Sequence, residues 1–404
     1  MHKSDIDGLF NLRGKIEFGL GPMKRLLEKL GHPEESPQIV HFAGTNGKGS
    51  TLVALEALLV SSGFKVVSFT SPHLVKLNER FRIDGQVVTD LVLEQALGQV
   101  CAALGLSISN LRQANRQKIE ASFFEISFAI ALLIGSKADW LLVETGLGGR
   151  LDATNAISSP VGCVITRVGM DHMEYLGTTI KEIASEKLGI LKPGAKFFLA
   201  PQAEPVTLLA RQKAKLMGLE LYEVSLGINN PIPFGLKGEH QQENVATALC
   251  AYQKLCPSDA QLSQQAAEQC LKTVKWAGRL EEVGAGLLTD GAHNQDGICA
   301  LMSYLKQAYN GEKILLALGW MQGKNLFESF DAQGINLTFL PLRGDFYRAE
   351  PRPELVLQSL GETLSPRSVK QAFWDWQKGA FKGYSVVVVA GSLYVVGELK
   401  ALMA

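Results

Sequence analysis

Glycines at 44, 47 and 49, a lysine at 48 and hydroxyls at 45, 50 and 51 share one run, Gly44-Thr45-Asn46-Gly47-Lys48-Gly49-Ser50-Thr51. An apolar segment precedes it and a helical pattern begins at Leu52. Glycines let the backbone turn tightly and aim several N–H groups at one point. The helix behind them adds its positive N-terminal end, and Lys48 adds a mobile point charge. Such a cradle suits the phosphates of a nucleotide, with Ser50 or Thr51 in reach of a bound Mg²⁺. The common phosphate-loop pattern has Ser or Thr directly after Gly-Lys, whereas Gly49 intervenes here. An ordinary glycine-rich turn is the alternative, and the order strand, turn, helix favours phosphate.

Other chemistry-bearing residues also follow short apolar runs. They are Thr70-Ser71-Pro72-His73, then the stretch from Glu144 through Gly146-Leu147-Gly148-Gly149-Arg150-Leu151 to Asp152, then Arg167-Val168-Gly169-Met170-Asp171-His172. In open α/β sheets the working groups lie outside the carboxyl ends of the strands, so these segments converge if the runs are parallel strands. Glu144 suits either a metal-holding carboxylate or a plain loop carboxylate. His172 suits either a metal ligand with Asp171 behind it or a hydrogen-bonding loop residue. The glycines at 146, 148 and 149 lack the spacing of a dinucleotide fingerprint. Lys187 reads as an ordinary lysine of a helix over residues 179–191, which Pro193-Gly194 ends. Further on, Asp290-Gly291-Ala292-His293-Asn294 and His240-Gln241-Gln242-Glu243-Asn244 each open a helix, where Asp or Asn also serves as a cap. Arg279 is either a bidentate phosphate donor or one half of a surface ion pair.

The elements that must position these groups alternate in type. Strand-like runs at 38–42, 65–69, 140–143, 163–166 and 196–199 are followed by helical stretches, and the pattern resumes at 287–289, 314–318, 337–340 and 385–390. Alternation of this kind predicts an α/β fold. Its N-terminal part is a phosphate-loop type, mostly parallel sheet with helices on both faces, and its C-terminal part a smaller Rossmann-like α/β domain. A largely helical region over 241–274 separates the two strand groups, and the boundary is placed near Glu282, giving domains 1–282 and 283–404. At 404 residues with 46% hydrophobic content, two cores are expected. Forty basic and 40 acidic residues cancel, which argues against a general nucleic-acid binder. The six cysteines form no Cys-x-x-Cys pair and read as small buried hydrophobes of a reducing compartment. The N-terminus shows no basic-then-apolar signal and no apolar run reaches membrane-spanning length, so a soluble cytoplasmic protein is expected. Residues 385–397 read as a core strand with its turn.

In this order, the segments resemble the folylpolyglutamate synthase/dihydrofolate synthase family, within the wider group of Mur-type amino-acid ligases. The resemblance rests on Ala43 through Ser50, Ser71-Pro72-His73-Leu74, the run from Glu144 to Asn155, Asp171-His172, Ser185-Glu186-Lys187, Gly278-Arg279 and Asp290 through Asn294. The run from Glu144 to Asn155 marks the folate branch. The resemblance implies ATP binding by Thr45, Asn46, Gly47, Lys48, Gly49, Ser50, Asn244, Arg279 and Asp290, the last two when the domains close. It implies two Mg²⁺ ions, one on Ser71 and Glu144, the other on His172 and Lys187. In the family the matching lysine is carbamylated by CO₂, which requires a neutral amine and so a pKa lowered by burial or nearby positive charge. Family pterin contacts map onto Phe123, Phe124, Leu151, Asp152 and Ala153, the adjacent aromatics suiting a flat ring.

The implied reaction is attack of a substrate carboxylate on the γ-phosphate of ATP, then attack of the L-glutamate amine on the acyl phosphate. Lys48, Lys187 and His293 are the expected catalytic residues. The expected substrates are ATP, L-glutamate and dihydropteroate or folates, with both synthase activities on a monomer. A single-activity folylpolyglutamate synthase is the alternative. Another Mur-type ligase would bring a further N-terminal domain, for which the position of Gly44 leaves little room. A nucleotide-gated switch would leave residues 290–294 without a task. Many relatives have proline where this chain has Gln295, which alters local rigidity only.

Overall fold

Each run expected as a strand forms one, and the most apolar of them lie at the sheet centres. The computed structural model describes residues 19–106, 121–226 and 231–403 apart from positions 325, 329, 331 and 347. The reading made on the first residues of the chain lies outside them. The chain divides into two compact units. The first comprises Met1–Ser71, Leu77–Ile232 and Glu243–Leu271, the second Pro72–Lys76, Pro233–Gln242 and Lys272–Ala404.

The first unit is built on an eight-stranded sheet in the order β4-β3-β2-β5-β1-β6-β7-β8. Its strands are β1 (Gln38–Ala43), β2 (Val66–Phe69), β3 (Phe81–Ile83), β4 (Gln86–Val87), β5 (Trp140–Glu144), β6 (Gly162–Ile165), β7 (Lys196–Leu199) and β8 (Leu221–Glu223). All neighbours are parallel except β2 with β3 and β3 with β4. The helices are α1 (Gly21–Leu30), α2 (Lys48–Ser61), α3 (Asp90–Ala103), α4 (Phe123–Gly135), α5 (Met173–Leu176), α6 (Ile180–Lys187), α7 (Glu204–Met217), α8 (His240–Leu255) and α9 (Gln264–Lys272). Helix α2 is apolar on nearly every side because it is buried on nearly every side, from Leu52 to Leu59. Strand β1 lies between β5 and β6, and α2 carries the chain from it to β2, beyond β5. The connection from β5 to β6 crosses the other way, so the crevice at the carboxyl end of β1 is the switch point of the sheet.

The second unit has a six-stranded sheet, β13-β12-β11-β14-β10-β9. Its strands are β9 (Glu281–Gly284), β10 (Leu287–Thr289), β11 (Lys313–Leu318), β12 (Asn336–Arg343), β13 (Arg367–Ser368) and β14 (Val386–Ala390). Helices α10 (Gln295–Ala308), α11 (Pro353–Leu357), α12 (Val369–Gln377) and α13 (Leu393–Met403) complete it. Two apolar clusters flank the sheet, one around Ile298, Leu301 and Leu305 of α10, the other around Phe373 and Leu399. The cut placed near Glu282 falls inside β9, which pairs antiparallel with β10 and so belongs to this sheet. The apolar stretch after β14 continues past a short break into α13 rather than ending in a turn. Segment Pro72–Lys76 also belongs here, and Gly397 of α13 lies so close to the Leu74 carbonyl that a Cβ would strike it.

No helix is long and apolar enough to cross a membrane among the described residues. In the first unit, the rings of Phe81, Phe124 and Phe128 all stand within 5.8 Å of Phe69, centroid to centroid. Phe128 is fully buried. Phe128→Ala is expected to destabilise the protein by about 3–5 kcal/mol in denaturant unfolding, through lost transfer energy and the cavity left behind.

Candidate active site

Strand β1 stops at Ala43 because Gly44 turns the chain away, and the next residues form the loop over the N-terminus of α2. A Cβ on Gly44 would collide with the Thr166 hydroxyl, and one on Gly47 with the Asn244 amide. Gly47 has φ 90°, which a residue with a side chain adopts only under strain. The amides of Thr45 and Asn46 both donate to the Arg167 carbonyl, at 2.8 and 3.1 Å. They are therefore tied to the strand β6 loop instead of converging with the rest. Helix geometry leaves the amides of Lys48, Gly49 and Ser50 without an intrahelical acceptor, which is the arrangement an anion at a helix N-terminus requires. Thr51 is fully buried and its hydroxyl donates to Asn244 Oδ1 at 3.4 Å. The Lys48 ammonium lies 3.1 Å from the Gly44 carbonyl and 3.9 Å from a Glu144 carboxylate oxygen.

Glu144 ends β5, is 5% exposed, and accepts the Ser71 N–H at 3.1 Å, so these two predicted metal residues meet. Lys187 reaches the same loop from the other side. Its Nζ donates to the Gly44 carbonyl at 2.9 Å and is buried. Burial, with the Lys48 charge second, pushes its pKa down to about 7 against the opposing pull of Asp171 and Asp152. The end of α6 is held by the 146–152 loop. Gly149 lies against the carbonyls of Glu186 and Lys187, and Arg150 N–H donates to the Glu186 carbonyl at 2.8 Å. His172 stands just before α5 with φ 51°, its own N–H bonded to Asp171 Oδ1 at 2.8 Å and its ring Nε2 3.8 Å from Asp171 Oδ2. Mg²⁺ ordinarily takes one or two carboxylates alongside substrate phosphates and water, and a hydroxyl with one carboxylate, Ser71 and Glu144, fits that demand. Among the described residues, three carboxylate or imidazole ligand atoms cluster only at His32, Glu34 and Glu35, in a turn before β1 and away from these strand ends.

The expected pterin residues also come together. Ser122 and Glu125 cap α4 reciprocally, which fixes Phe123 and Phe124 in its first turn. The Phe124 ring lies against Gly146, where a Cβ would strike it. Arg80 stands 5.2 Å over the Phe123 ring, a cation the sequence reading did not single out. Asp152 caps the 3₁₀ turn Ala153–Ala156, accepting Leu147 N–H at 2.8 Å and Thr154 N–H at 3.0 Å. Burial raises its pKa against these hydrogen bonds. Leu151 and Ala153 flank it in sequence, and Ala153 is buried.

In the second unit, Asp290 follows β10 and its two carboxylate oxygens accept Leu280 N–H at 2.9 Å and Ala292 N–H at 2.8 Å. Arg279 is therefore held between Gly278 at φ 69° and Leu280 at φ 45°. A leucine in that region costs roughly 1–2 kcal/mol, which the charge-assisted bond to Asp290 offsets. A Cβ on Gly291 would strike the Arg279 guanidinium, so Arg279 and the 290–294 loop adjoin. The His293 Nδ1 lies 2.8 Å from the Gly291 carbonyl. A carbonyl only accepts, so Nδ1 carries the proton and Nε2 the lone pair of the neutral ring. Asn294 caps α10 through Gly297 N–H at 2.9 Å. His240 joins this group unannounced by the sequence: its pKa is lowered by burial, while Asp290 acts upward and Arg279 downward.

His41, in the middle of β1, was likewise missed, although a histidine inside an apolar strand is itself a signal. It is fully buried and burial pushes its pKa down to about 3. Below the ordinary value of 6.5 the unfolded chain takes up a proton that the folded chain refuses, so stability falls as the pH drops toward 3. Between pH 6.5 and about pH 5 this amounts to about 2 kcal/mol. Urea unfolding is expected to show that loss in the wild type, and a loss smaller by about that amount in His41→Gln.

No protein-family model matches the chain. The dihydrofolate synthase/folylpolyglutamate synthase of Bacillus subtilis is 31% identical over 96% of each chain. The protein of the same name from Escherichia coli is 29% identical over 97% of this chain and 93% of its own. The solved structure of E. coli FolC in complex with DHPP and ADP aligns with a TM-score of 0.83 at 26% identity, covering 99% of this chain and 97% of that one. With nearly its whole length aligned to the Bacillus protein, this chain belongs to the dihydrofolate synthase/folylpolyglutamate synthase family, the ADP-forming ligases that join L-glutamate to a pteroate or folate.

Proposed function

We propose that this ligase serves both acceptors, dihydropteroate and the (tetrahydro)folate polyglutamates, through one set of residues. The acceptor carboxylate oxygen bonds to the γ-phosphorus of ATP, the bond to the β-γ bridging oxygen breaks, and ADP leaves. The L-glutamate nitrogen then bonds to the acyl carbon, phosphate departs with its oxygen, and a proton leaves the amine. The observation that carries this reading is the meeting of Lys48 and the buried Lys187 at the Gly44 carbonyl, with Glu144 beside Lys48. Carboxylate and triphosphate repel each other, and Lys48 together with ions held by Glu144 and Lys187 would supply the counter-charge.

The residue roles follow from placement. The first-turn amides of α2, with Thr45, Asn46, Gly47 and Asn244 shaping the loop, cradle the phosphates, and Lys48 follows the transferred group. Arg279 and Asp290 of the second unit act on ATP as well. His293, with its lone pair on Nε2, suits the amine of the incoming glutamate. Phe123, Phe124, Leu151, Asp152 and Ala153 receive the pterin. The E. coli FolC structure, in complex with DHPP and ADP, supports a nucleotide and a second small molecule as ligands of this fold. Ser71 and Glu144 would hold one Mg²⁺, and His172 with Lys187 a second; such ions neutralise phosphate charge when bound. Carbamylation of Lys187 would turn it from a cation into a carboxylate suited to that ion, and a pKa of about 7 leaves a neutral amine available to CO₂. We place the enzyme in the cytoplasm as a monomer acting on small molecules, not on nucleic acid or membrane. Its zero formal net charge supports the nucleic-acid part of that statement.

ADP release with Mg-ATP and L-glutamate is expected with dihydropteroate and, separately, with tetrahydrofolate. Release with only one would assign a single activity, and steady ATP hydrolysis indifferent to both would overturn the ligase reading. Glu144→Ala and Lys187→Ala are each expected to lower kcat by at least about 100-fold with circular dichroism unchanged. Labelled bicarbonate should give a carbamate carbon resonance in the wild type that Lys187→Ala lacks. Full turnover in CO₂-depleted buffer would remove the carbamate.

A further inference from the structure

A neutral histidine at the centre of a parallel sheet is an expensive choice, because an imidazole gives up water there and recovers it only through hydrogen bonds. On β1, His41 pairs in register with Val143 of β5 and Cys163 of β6, and both its backbone and its ring are sealed from solvent. Its Nε2 lies 2.8 Å from the Thr154 hydroxyl, while its Nδ1 has no hydrogen-bond partner among the described residues. The Thr154 hydroxyl, also fully buried, donates to Asp152 Oδ1. A hydroxyl has one proton to give. Once it is given to the carboxylate, the threonine oxygen accepts from His41 Nε2–H, and Nδ1 is left a bare acceptor. That direction fits the unpartnered Nδ1, since an unpaired acceptor in a core is less costly than an unpaired N–H.

We infer that His41 is a positioning residue for the acceptor site, acting through Thr154 on Asp152. The chain of bonds joins the strand that ends in the phosphate loop to the turn that presents Asp152. Asp152 in turn receives Leu147 N–H and so sets the course of the 146–152 loop. Leucine at position 41 would fill the core but leave the Thr154 hydroxyl able to swing, and Asp152 Oδ1 would keep the Thr154 N–H but lose the second of its two bonds. The inference rests on the reading of Asp152 as a pterin contact, proposed above.

Steady-state kinetics on Thr154→Val, Thr154→Ser, His41→Leu, His41→Gln and Asp152→Asn test it, with KM measured separately for dihydropteroate and for ATP. Thr154→Val and His41→Leu are expected to raise the dihydropteroate KM by about tenfold and to leave the ATP KM within about twofold. The double variant should be no worse than either single one, because both cut the same chain. Thr154→Ser and His41→Gln, which keep the hydroxyl and an N–H donor, should restore the wild-type KM. Thr154→Val at the wild-type dihydropteroate KM would overturn the inference even if His41→Leu failed to fold. A rise of both KM values together with a lowered Tm would show a structural role only and overturn it as well. Asp152→Asn separates the two readings. If it leaves the dihydropteroate KM unchanged, the pterin assignment falls and the inference with it; if it raises that KM while Thr154→Val does not, only the inference falls.

Discussion

A Cβ on Gly149 would stand 2.8 Å from the carbonyl oxygens of both Glu186 and Lys187, closer than any side chain packs. The absence of that atom lets the 146–152 loop lie directly on the last turn of α6. The last turn of α6 carries Lys187, whose Nζ reaches the Gly44 carbonyl. The same loop carries Asp152 at its far end and touches Phe124 through Gly146. One loop therefore touches both the helix turn that carries the buried lysine and the Phe124 ring.

The electrostatics follow from that packing. Lys187 is buried, and an ammonium there lacks the solvation it would need, so its proton is weakly held. Lys48, which shares the Gly44 carbonyl with it, pushes in the same direction. Two lysines converging on one carbonyl oxygen are unfavourable in isolation and make sense where polyphosphate charge is to be met. The nearby carboxylates Asp171 and Asp152 temper the effect without reversing it. Burial thus sets Lys187 apart from the other lysines it resembles in the chain.

The second unit uses the same device with different parts. Asp290 gives both carboxylate oxygens to backbone N–H groups, and in doing so holds Leu280 in a left-handed conformation beside Arg279. A backbone conformation of that kind persists only where its surroundings impose it. The arginine is then set by its neighbours' backbone rather than by an ion pair of its own, with Gly291 giving the guanidinium room.

Much of this was legible in residue order. Alternating apolar and helical runs mark the strands, because a parallel strand buried on both faces must be continuously apolar. The glycines and lysine of residues 44–51 suit a phosphate loop because they stand between a strand and a helix, although Gly49 departs from the common spacing. Short outlying strands such as β3, β8 and β13 were not legible, being only partly buried, and the boundary placed near Glu282 cuts β9, which its pairing with β10 puts in the sheet. Lys187 showed nothing distinctive among helix lysines, and His41 passed as part of an apolar run. What makes each of them special is the dielectric around a side chain and the partner opposite it, and both are properties of packing. The sequence by itself determined which residue types stand at the strand ends, since strand periodicity and turn chemistry are local. The tertiary structure alone decided which of them are sealed from water and which carbonyl or hydroxyl they meet, because burial and hydrogen-bond pairing arise from segments more than a hundred residues apart, as Lys187 with Gly44 and His41 with Thr154 show.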